Sequence, residues 1–383
     1  MLRRRFLSLA PQFAAAVAAP SFVSSAWAQD GVSAKAITIG STGALTGPLG
    51  GFGQSLKLGV DAAMREINAR GGIHGRQLQF ELLDDAYAPA RSVENVNKLM
   101  AGESVLALLS CIGTANNAAI LPAVETAGLP YVAPLTGASS LRKPNLKNVF
   151  HVRASYTDET SRLMQKLAAM GMGKVAVVYQ DNAFGKEVLA DTQRAMAAAN
   201  IKAVVEVALA ADGKNLAEVL GKISAAHPST VFLGTAGAAS VSVAQALRAA
   251  SPLMPIAGLS VTFSGDGIKS LGKASQGIAL TMVMPDGNQT RVKVVRDYQA
   301  AMRAAGHTEF GGGSLEGYIN AQVLAQGIER AGRDVNRAKL RAALAGVRNF
   351  DLGGFQVDYT AAPYVGSKFV DLGVLGSNGY LVS

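Results

Sequence analysis

The sequence predicts an α/β protein built from two parallel-sheet units with a cleft between them. Short β-branched runs alternate with longer segments of helical period, the alternation begins a second time near residue 174, and more helices follow than the second round can use. In the first round, residues 37–40 form the opening strand. Residues 55–70 form a helix, because Val60, Ala63, Met64 and Ile67 fall on one face and Gly71 and Gly72 end it. Residues 78–83, 105–109, 131–133 and 149–152 are apolar runs of strand length, separated by helical stretches near 90–101 and 115–127. Such alternation argues a parallel sheet covered by helices on both faces.

The second round runs strand 174–179, helix 184–199, strand 203–208, helix 216–226, strand 231–234, helix 240–250 and strand 256–259. A strand at 278–283, helices near 292–305, 315–331 and 336–345, and a β-rich tail from Phe355 follow. The late helices are too many for the second unit alone. A chain that crosses between two lobes more than once distributes them, and places a ligand cleft at the carboxyl ends of the strands. The expected division is a leader at 1–28, a first lobe of 29–154 plus 281–350, and a second lobe of 155–280 plus 351–383.

The leader reads as a bacterial secretory signal. Arg3, Arg4 and Arg5 precede Phe6 and Leu7, an apolar stretch spans residues 13–23, and Ala26, Trp27 and Ala28 make the small-x-small pattern of a cleavage site. Arg-Arg-x-Phe-Leu resembles a twin-arginine signal, whose cargo is exported folded. The apolar run is shorter than the roughly 20 residues that span a bilayer. Cleavage after Ala28 and a periplasmic location are therefore expected.

Composition excludes several function classes. Formal charge is +9, of which the leader arginines supply three, and the rest is spread without a basic run, so no nucleic-acid footprint is present. Cys111 is the only cysteine, which excludes an internal disulfide and a cysteine-type zinc site and suits a small buried hydrophobe. His74, His151, His227 and His307 are scattered singly and read as surface or capping residues, not metal ligands. No GxSxG elbow occurs, and the glycine-rich segment 43–53 lacks the lysine and hydroxyl residue of a phosphate loop. Asp84 and Asp85 are adjacent, which suits a strand end better than acid/base work. No enzyme activity, cofactor or metal is expected.

Several strings together resemble the branched-chain amino-acid-binding proteins of bacterial ABC importers. They are Ile39-Gly-Ser-Thr-Gly-Ala-Leu-Thr-Gly-Pro, Phe52-Gly, Gly59-Val-Asp-Ala-Ala and Ile67-Asn-Ala-Arg-Gly-Gly-Ile-His-Gly-Arg, then Gly113-Thr114, Gly128-Leu-Pro-Tyr-Val-Ala-Pro, Tyr179-Gln-Asp-Asn-Ala-Phe-Gly and Glu316-Gly-Tyr. Their order and spacing cover the chain after the leader. The resemblance implies the type I periplasmic-binding architecture, two Rossmann-like lobes joined by three crossings. It implies that Thr114 holds a ligand carboxylate, and a threonine hydroxyl beside a helix N-terminus suits an anion. Leu135, Thr136 and Gly137 fall on the segment whose backbone meets the ligand, and Phe52 and Phe184 on the aromatic positions in the first loop of each lobe. Taken alone, Thr114 reads equally as a helix cap, and the two phenylalanines as core.

The sequence departs from that family at the ammonium end. Ser260 stands where amino-acid binders carry a glutamate, and Ala236 where they carry a tyrosine. A buried ammonium without a carboxylate is costly, so either another acid such as Glu316 or Asp181 supplies the charge or the solute is not an α-amino acid. The resemblance thus implies a monomeric solute-binding protein that takes a small carboxylate-bearing solute by hinge closure and serves an ABC permease in the inner membrane. A periplasmic sensory receptor is the alternative reading, and a periplasmic α/β hydrolase a weaker one.

Overall fold

The structure, a computed structural model, describes residues 30–382. The leader and its cleavage site after Ala28 lie outside the described residues. The strands, in chain order, are β1 (Ala36–Gly43), β2 (Gln77–Asp84), β3 (Ala107–Leu109), β4 (Tyr131–Val132), β5 (Val149–His151), β6 (Lys174–Gln180), β7 (Lys202–Leu209), β8 (Thr230–Gly234), β9 (Ile256–Gly258), β10 (Ile278–Met282), β11 (Phe350–Asp351), β12 (Gln356–Val357), β13 (Tyr364–Val365), β14 (Asp371–Leu375) and β15 (Leu381–Val382). The helices are α1 (Gly50–Ala69), α2 (Pro89–Met100), α3 (Thr114–Thr126), α4 (Tyr156–Ala169), α5 (Ala183–Ala198), α6 (Leu216–Ala226), α7 (Ala238–Ala250), α8 (Gly265–Leu271), α9 (Lys293–Ala304), α10 (Gly312–Ala331) and α11 (Arg337–Ala345).

Two sheets form. The first has the order β13-β5-β4-β3-β1-β2 and is parallel throughout. The second has the order β15-β14-β10-β9-β8-β6-β7, parallel from β10 to β7, with β14 and β15 added antiparallel at one edge. The central strands are covered on both faces, so they read as near-continuous apolar runs: Val175, Ala176, Val177 and Val178 of β6 and Val231, Phe232 and Leu233 of β8 are fully buried. The chain passes between the lobes three times, from β5 to α4, from β10 to α9 and from β13 to β14. This is the two-lobed type I architecture. One buried cluster continues from Val105, Leu108 and Tyr131 in the first lobe to Val177 and Phe232 in the second.

The expectation that all of 351–383 belongs to the second lobe is overturned. Tyr364 and Val365 pair with Phe150 and His151 at the edge of the first sheet, and only β14 and β15 join the second. Aromatic packing drives this return, with Tyr364 stacked on Phe150 at 4.7 Å between ring centroids and Tyr359 edge-on to Phe150 at 5.4 Å. The first helix also begins earlier than its apolar period indicates. A 3₁₀ turn at Gly47–Leu49, opened by Gly47 at positive φ and with Pro48 fixing the φ of its second residue, runs directly into α1. Phe52 therefore sits in the first turn of α1 and Phe184 in the first turn of α5, not in loops.

Helices α1 and α10 cross in backbone contact. A Cβ on Gly59 would stand 1.7 Å from Ser314 O, and one on Gly317 would stand 2.2 Å from Leu56 O, so neither position admits a side chain at this spacing. That close crossing sets the first two turns of α10, the second of which opens with Glu316, beside Leu56 and Gly59 of α1. The path into the second lobe is fixed by a capping box, in which Ser155 Oγ accepts from the Asp158 amide and Asp158 accepts from the Ser155 amide.

Two histidines sit as expected and one does not. His74 adopts positive φ in a turn and contacts Glu329 O, and His227 ends α6 in the left-handed region. His151 is buried within β5, with Nε2 3.1 Å from Leu141 O, and burial beside Arg142 holds its pKa well below the usual value. Cys111 is buried, and burial pushes its thiol up to about 11.

Candidate functional site

The carboxyl ends of the parallel strands from both sheets converge. From the first lobe come Thr114 after β3, the 135–137 segment after β4 and Arg153 after β5. From the second come Phe184 after β6, Ala236 after β8 and Ser260 after β9. The lobes are in contact. Gly237 lies so near the first-lobe turn that a Cβ there would stand 2.4 Å from Pro48 O, and Glu187 of α5 accepts from the Ser140 amide at 2.8 Å and from Ser140 Oγ at 2.7 Å.

The expected residues fall into two adjoining groups. In the first, Thr114 Oγ1 and Thr136 Oγ1 lie 2.9 Å apart and both are buried. The Thr136 hydroxyl also accepts from the Ala138 amide at 3.2 Å. Gly137 lies under the Tyr156 ring, where a Cβ would be 2.5 Å from Cδ1, and Phe184 packs edge-on to the same ring at 5.5 Å. Ala236 belongs to the same buried cluster and donates its amide to Gln180 Oε1. Arg142 ties the segment to the first crossing by donating Nη2 to the carbonyls of Thr136, Arg153 and Ala154 at 3.1–3.3 Å. Burial and the Arg153 charge lower its pKa to about 10.

The second group lines an interlobe cavity of 480 Å³. Phe52 and Leu135 contribute apolar wall together with Val261, Met284 and Phe310, and Ser260, Arg153 and Glu316 contribute polar surface. Ser260 does not stand free. Its Oγ accepts from Arg153 Nη2, and its amide donates to Glu159 Oε2 at 2.9 Å. Arg153, 2% exposed, lies 3.5 Å from Glu159 and 3.4 Å from Glu316. Burial acts to lower the guanidinium pKa, but the carboxylates of Glu316 and Glu159 raise it on balance. Burial raises that of Glu316, with Arg153 opposing and Glu159 adding. The other acid considered, Asp181, is exposed and pairs with Lys186 at 2.9 Å, away from the cavity walls.

Asp84 shapes the entrance turn. It accepts from the amides of Leu45, Thr46 and Ala86 and from Thr46 Oγ1 at 2.6 Å. Against the upward push of burial, these bonds bring its pKa down to about 2. Asp85 is buried and receives Thr42, Ser92 and Asn116. Both carboxylates thus hold strand ends in place.

Sequence reasoning missed Tyr156, Glu159 and Arg153. The available signal was Arg153 itself, a charged residue placed directly after an apolar strand and therefore obliged to find buried partners.

Residues 36–363 match the model of the periplasmic binding protein family. The chain is 26% identical over 319 residues to Leu/Ile/Val-binding protein homolog 3 of Brucella melitensis, covering 80% of this chain and 83% of that one. It superposes with a TM-score of 0.84 and 30% identity on a substrate-binding periplasmic protein from Ralstonia solanacearum, covering 90% of this chain and 99% of that one. An extracellular ligand-binding receptor from Verminephrobacter eiseniae gives the same score and identity, with 91% and 100% covered. Given that match along nearly all the described residues, and two α/β lobes whose strand ends face a shared cleft, the chain belongs to the periplasmic binding protein family, whose members bind small solutes and deliver them to ABC permeases.

Proposed function

We propose that this protein is the solute receptor of an ABC importer, acting as a monomer that captures a small carboxylate-bearing solute between its lobes and presents it to an inner-membrane permease. The observation that carries the reading is the Thr114–Thr136 hydroxyl pair at the N-terminus of α3. There hydroxyls and unpaired helix amides together suit a carboxylate. Phe52, Leu135, Phe184 and Ala236 form the apolar surround, and Ser260 the polar contact from the second lobe. The names of relatives such as the Brucella protein favour amino acids with apolar side chains, and related organic or aromatic acids fit the same chemistry. Residues 1–28 direct export to the periplasm, with removal after Ala28. The three crossings act as the hinge, and the solute favours the closed form because only there does it touch both lobes.

A thermal-shift screen of amino acids, aromatic acids and short-chain carboxylates tests this, because a ligand that binds only the folded state raises the melting temperature. Calorimetry on each hit and its amide should show the acid binding more tightly. An absence of any shift across the carboxylates, or equal binding of acids and amides, would overturn the reading.

A further inference from the structure

We propose that Tyr87 is a binding residue at the carboxylate end of the cleft, its phenol hydroxyl donating to the solute carboxylate beside Thr114. This rests on the reading of the protein as a carboxylate-solute receptor, and adds a residue to that site. Backbone strain is concentrated at this end of the cleft. Of the described non-glycine residues with positive φ, Asp30, His74, Asn200, His227 and Asn349 are of the types that tolerate the left-handed region. The others, Ala86, Tyr87, Ser110 and Ala133, all lie just beyond the carboxyl ends of first-sheet strands, β2, β3 and β4. Two of them are consecutive, with φ at 46° in Ala86 and 64° in Tyr87. Such strain persists only where the surroundings enforce it, and it gathers at binding sites.

The adjacent carboxylates Asp84 and Asp85 enforce it here. The Ala86 amide donates to Asp84 Oδ1 at 3.0 Å, the Tyr87 amide to Asp85 Oδ1 at 2.8 Å and the Ala88 amide to the Asp85 carbonyl at 2.8 Å. Asp85 is itself fixed by Thr42, Ser92 and Asn116. The turn they make sends the Tyr87 side chain past the end of β1, which separates β2 from β3 in the sheet, and lays its ring on Gly113. A Cβ on Gly113 would stand 2.4 Å from Tyr87 Cε2, the ring carbon next to the one that bears the hydroxyl. The phenol end of the ring thus lies against the residue directly before Thr114. Tyr87 is partly buried, and its hydroxyl makes no hydrogen bond among the described residues. Burial, with Tyr156 and Asp85 adding, holds the phenol pKa well above its ordinary value, so the group stays a donor. An unpartnered O–H beside the Thr114 hydroxyl gains most from a carboxylate, because the bond is then charge-assisted, and less from the neutral oxygen of an amide.

Acid and amide pairs test the role by calorimetry near neutral pH: 4-methylpentanoate against 4-methylpentanamide, 3-phenylpropanoate against 3-phenylpropanamide, L-leucine against L-leucinamide, and the tightest acid of the carboxylate screen against its amide. Each is titrated into wild type, Tyr87→Phe and Tyr87→Asn. In Tyr87→Phe, which loses only the hydroxyl, the acid that wild type binds should weaken by about fivefold or more, and its amide by less than about twofold. Where wild type binds the amide too weakly to measure, the loss for the acid decides alone. Asparagine suits a left-handed backbone, so Tyr87→Asn should lose at least as much and carries the test if circular dichroism melts show Tyr87→Phe unfolded. Acid affinity within about twofold of wild type in a folded Tyr87→Phe, or equal weakening of acid and amide, would overturn the role of the hydroxyl and leave the carboxylate-receptor reading standing. A wild-type protein that binds none of these acids, or binds them no better than their amides, would instead remove that reading and this proposal with it.

Discussion

Thr114 Oγ1 and Thr136 Oγ1 lie 2.9 Å apart although their residues belong to different strand-to-helix connections, Thr114 opening α3 and Thr136 following β4. Parallel pairing of β3 with β4 sets those connections side by side, Leu108 opposite Tyr131 and Leu109 opposite Val132. A bridge between Ile112 and Leu135 continues that register to the cleft. The hydroxyl pair is thus a consequence of strand order. Thr114→Ala should weaken binding of a carboxylate ligand by about 1.5–3 kcal/mol, the scale of a hydrogen bond to a charged group, or roughly ten- to hundredfold in Kd. Isothermal titration measures it, and an unchanged Kd would remove Thr114 from the site.

The α1–α10 crossing makes a stability prediction with an internal control. Gly317→Ala places a Cβ 2.2 Å from Leu56 O, so the helices must separate, at a cost of about 1–3 kcal/mol. Gly221→Ala, in the interior of α6 with no atom within 4 Å of the new Cβ, should instead stabilise by about 0.5–1 kcal/mol, because alanine loses less backbone freedom on folding. Urea unfolding of both variants, read at constant m-value, separates the two effects. Gly317→Ala at wild-type stability would mean that the helices yield without cost.

Asp84 gives a pH dependence of defined sign. Its carboxyl pKa falls from 3.8 to about 2 on folding, so the contribution to stability is present above the unfolded value and is lost as pH drops through the folded one. The gap in melting temperature between wild type and Asp84→Asn should therefore be constant above pH 3.8 and close as pH approaches about 2. A gap independent of pH over that interval would show that the charge on Asp84 contributes nothing to holding Leu45 and Thr46.

Much of this fold was legible because covered parallel strands leave near-continuous apolar runs, as in β6 and β8, and because α1 and α9 carry one-sided apolar faces. What was illegible has a common cause in long-range contact. Two-residue β13 has no pattern of its own and is placed by the Phe150 ring, and α1 starts at Gly50 because of the Pro48 turn, not its apolar period. Arg153, Glu159 and Glu316 meet only after the β5-to-α4 crossing and α10 have been folded together. The Thr114–Thr136 pair was approached through family resemblance, since a lone threonine at a helix start reads equally as a cap.

The contact of Glu187 with Ser140 tests the hinge without touching the solute site. Ser140 follows β4 in the first lobe and Glu187 lies on α5 in the second, and two hydrogen bonds of 2.8 and 2.7 Å join them across the lobes. These groups are exposed, so their net worth is at the low end, about 0.5–1 kcal/mol. Removing them in Glu187→Ala shifts the free protein toward the open form, and apparent affinity falls with the population of the binding-competent state. The variant should bind its ligand about two- to fivefold more weakly by calorimetry. In small-angle scattering its unliganded radius of gyration should be at least that of wild type, and saturating ligand should bring both to the same smaller value. Equal affinities together with no contraction of either protein on ligand addition would show that closure of these lobes is not coupled to binding.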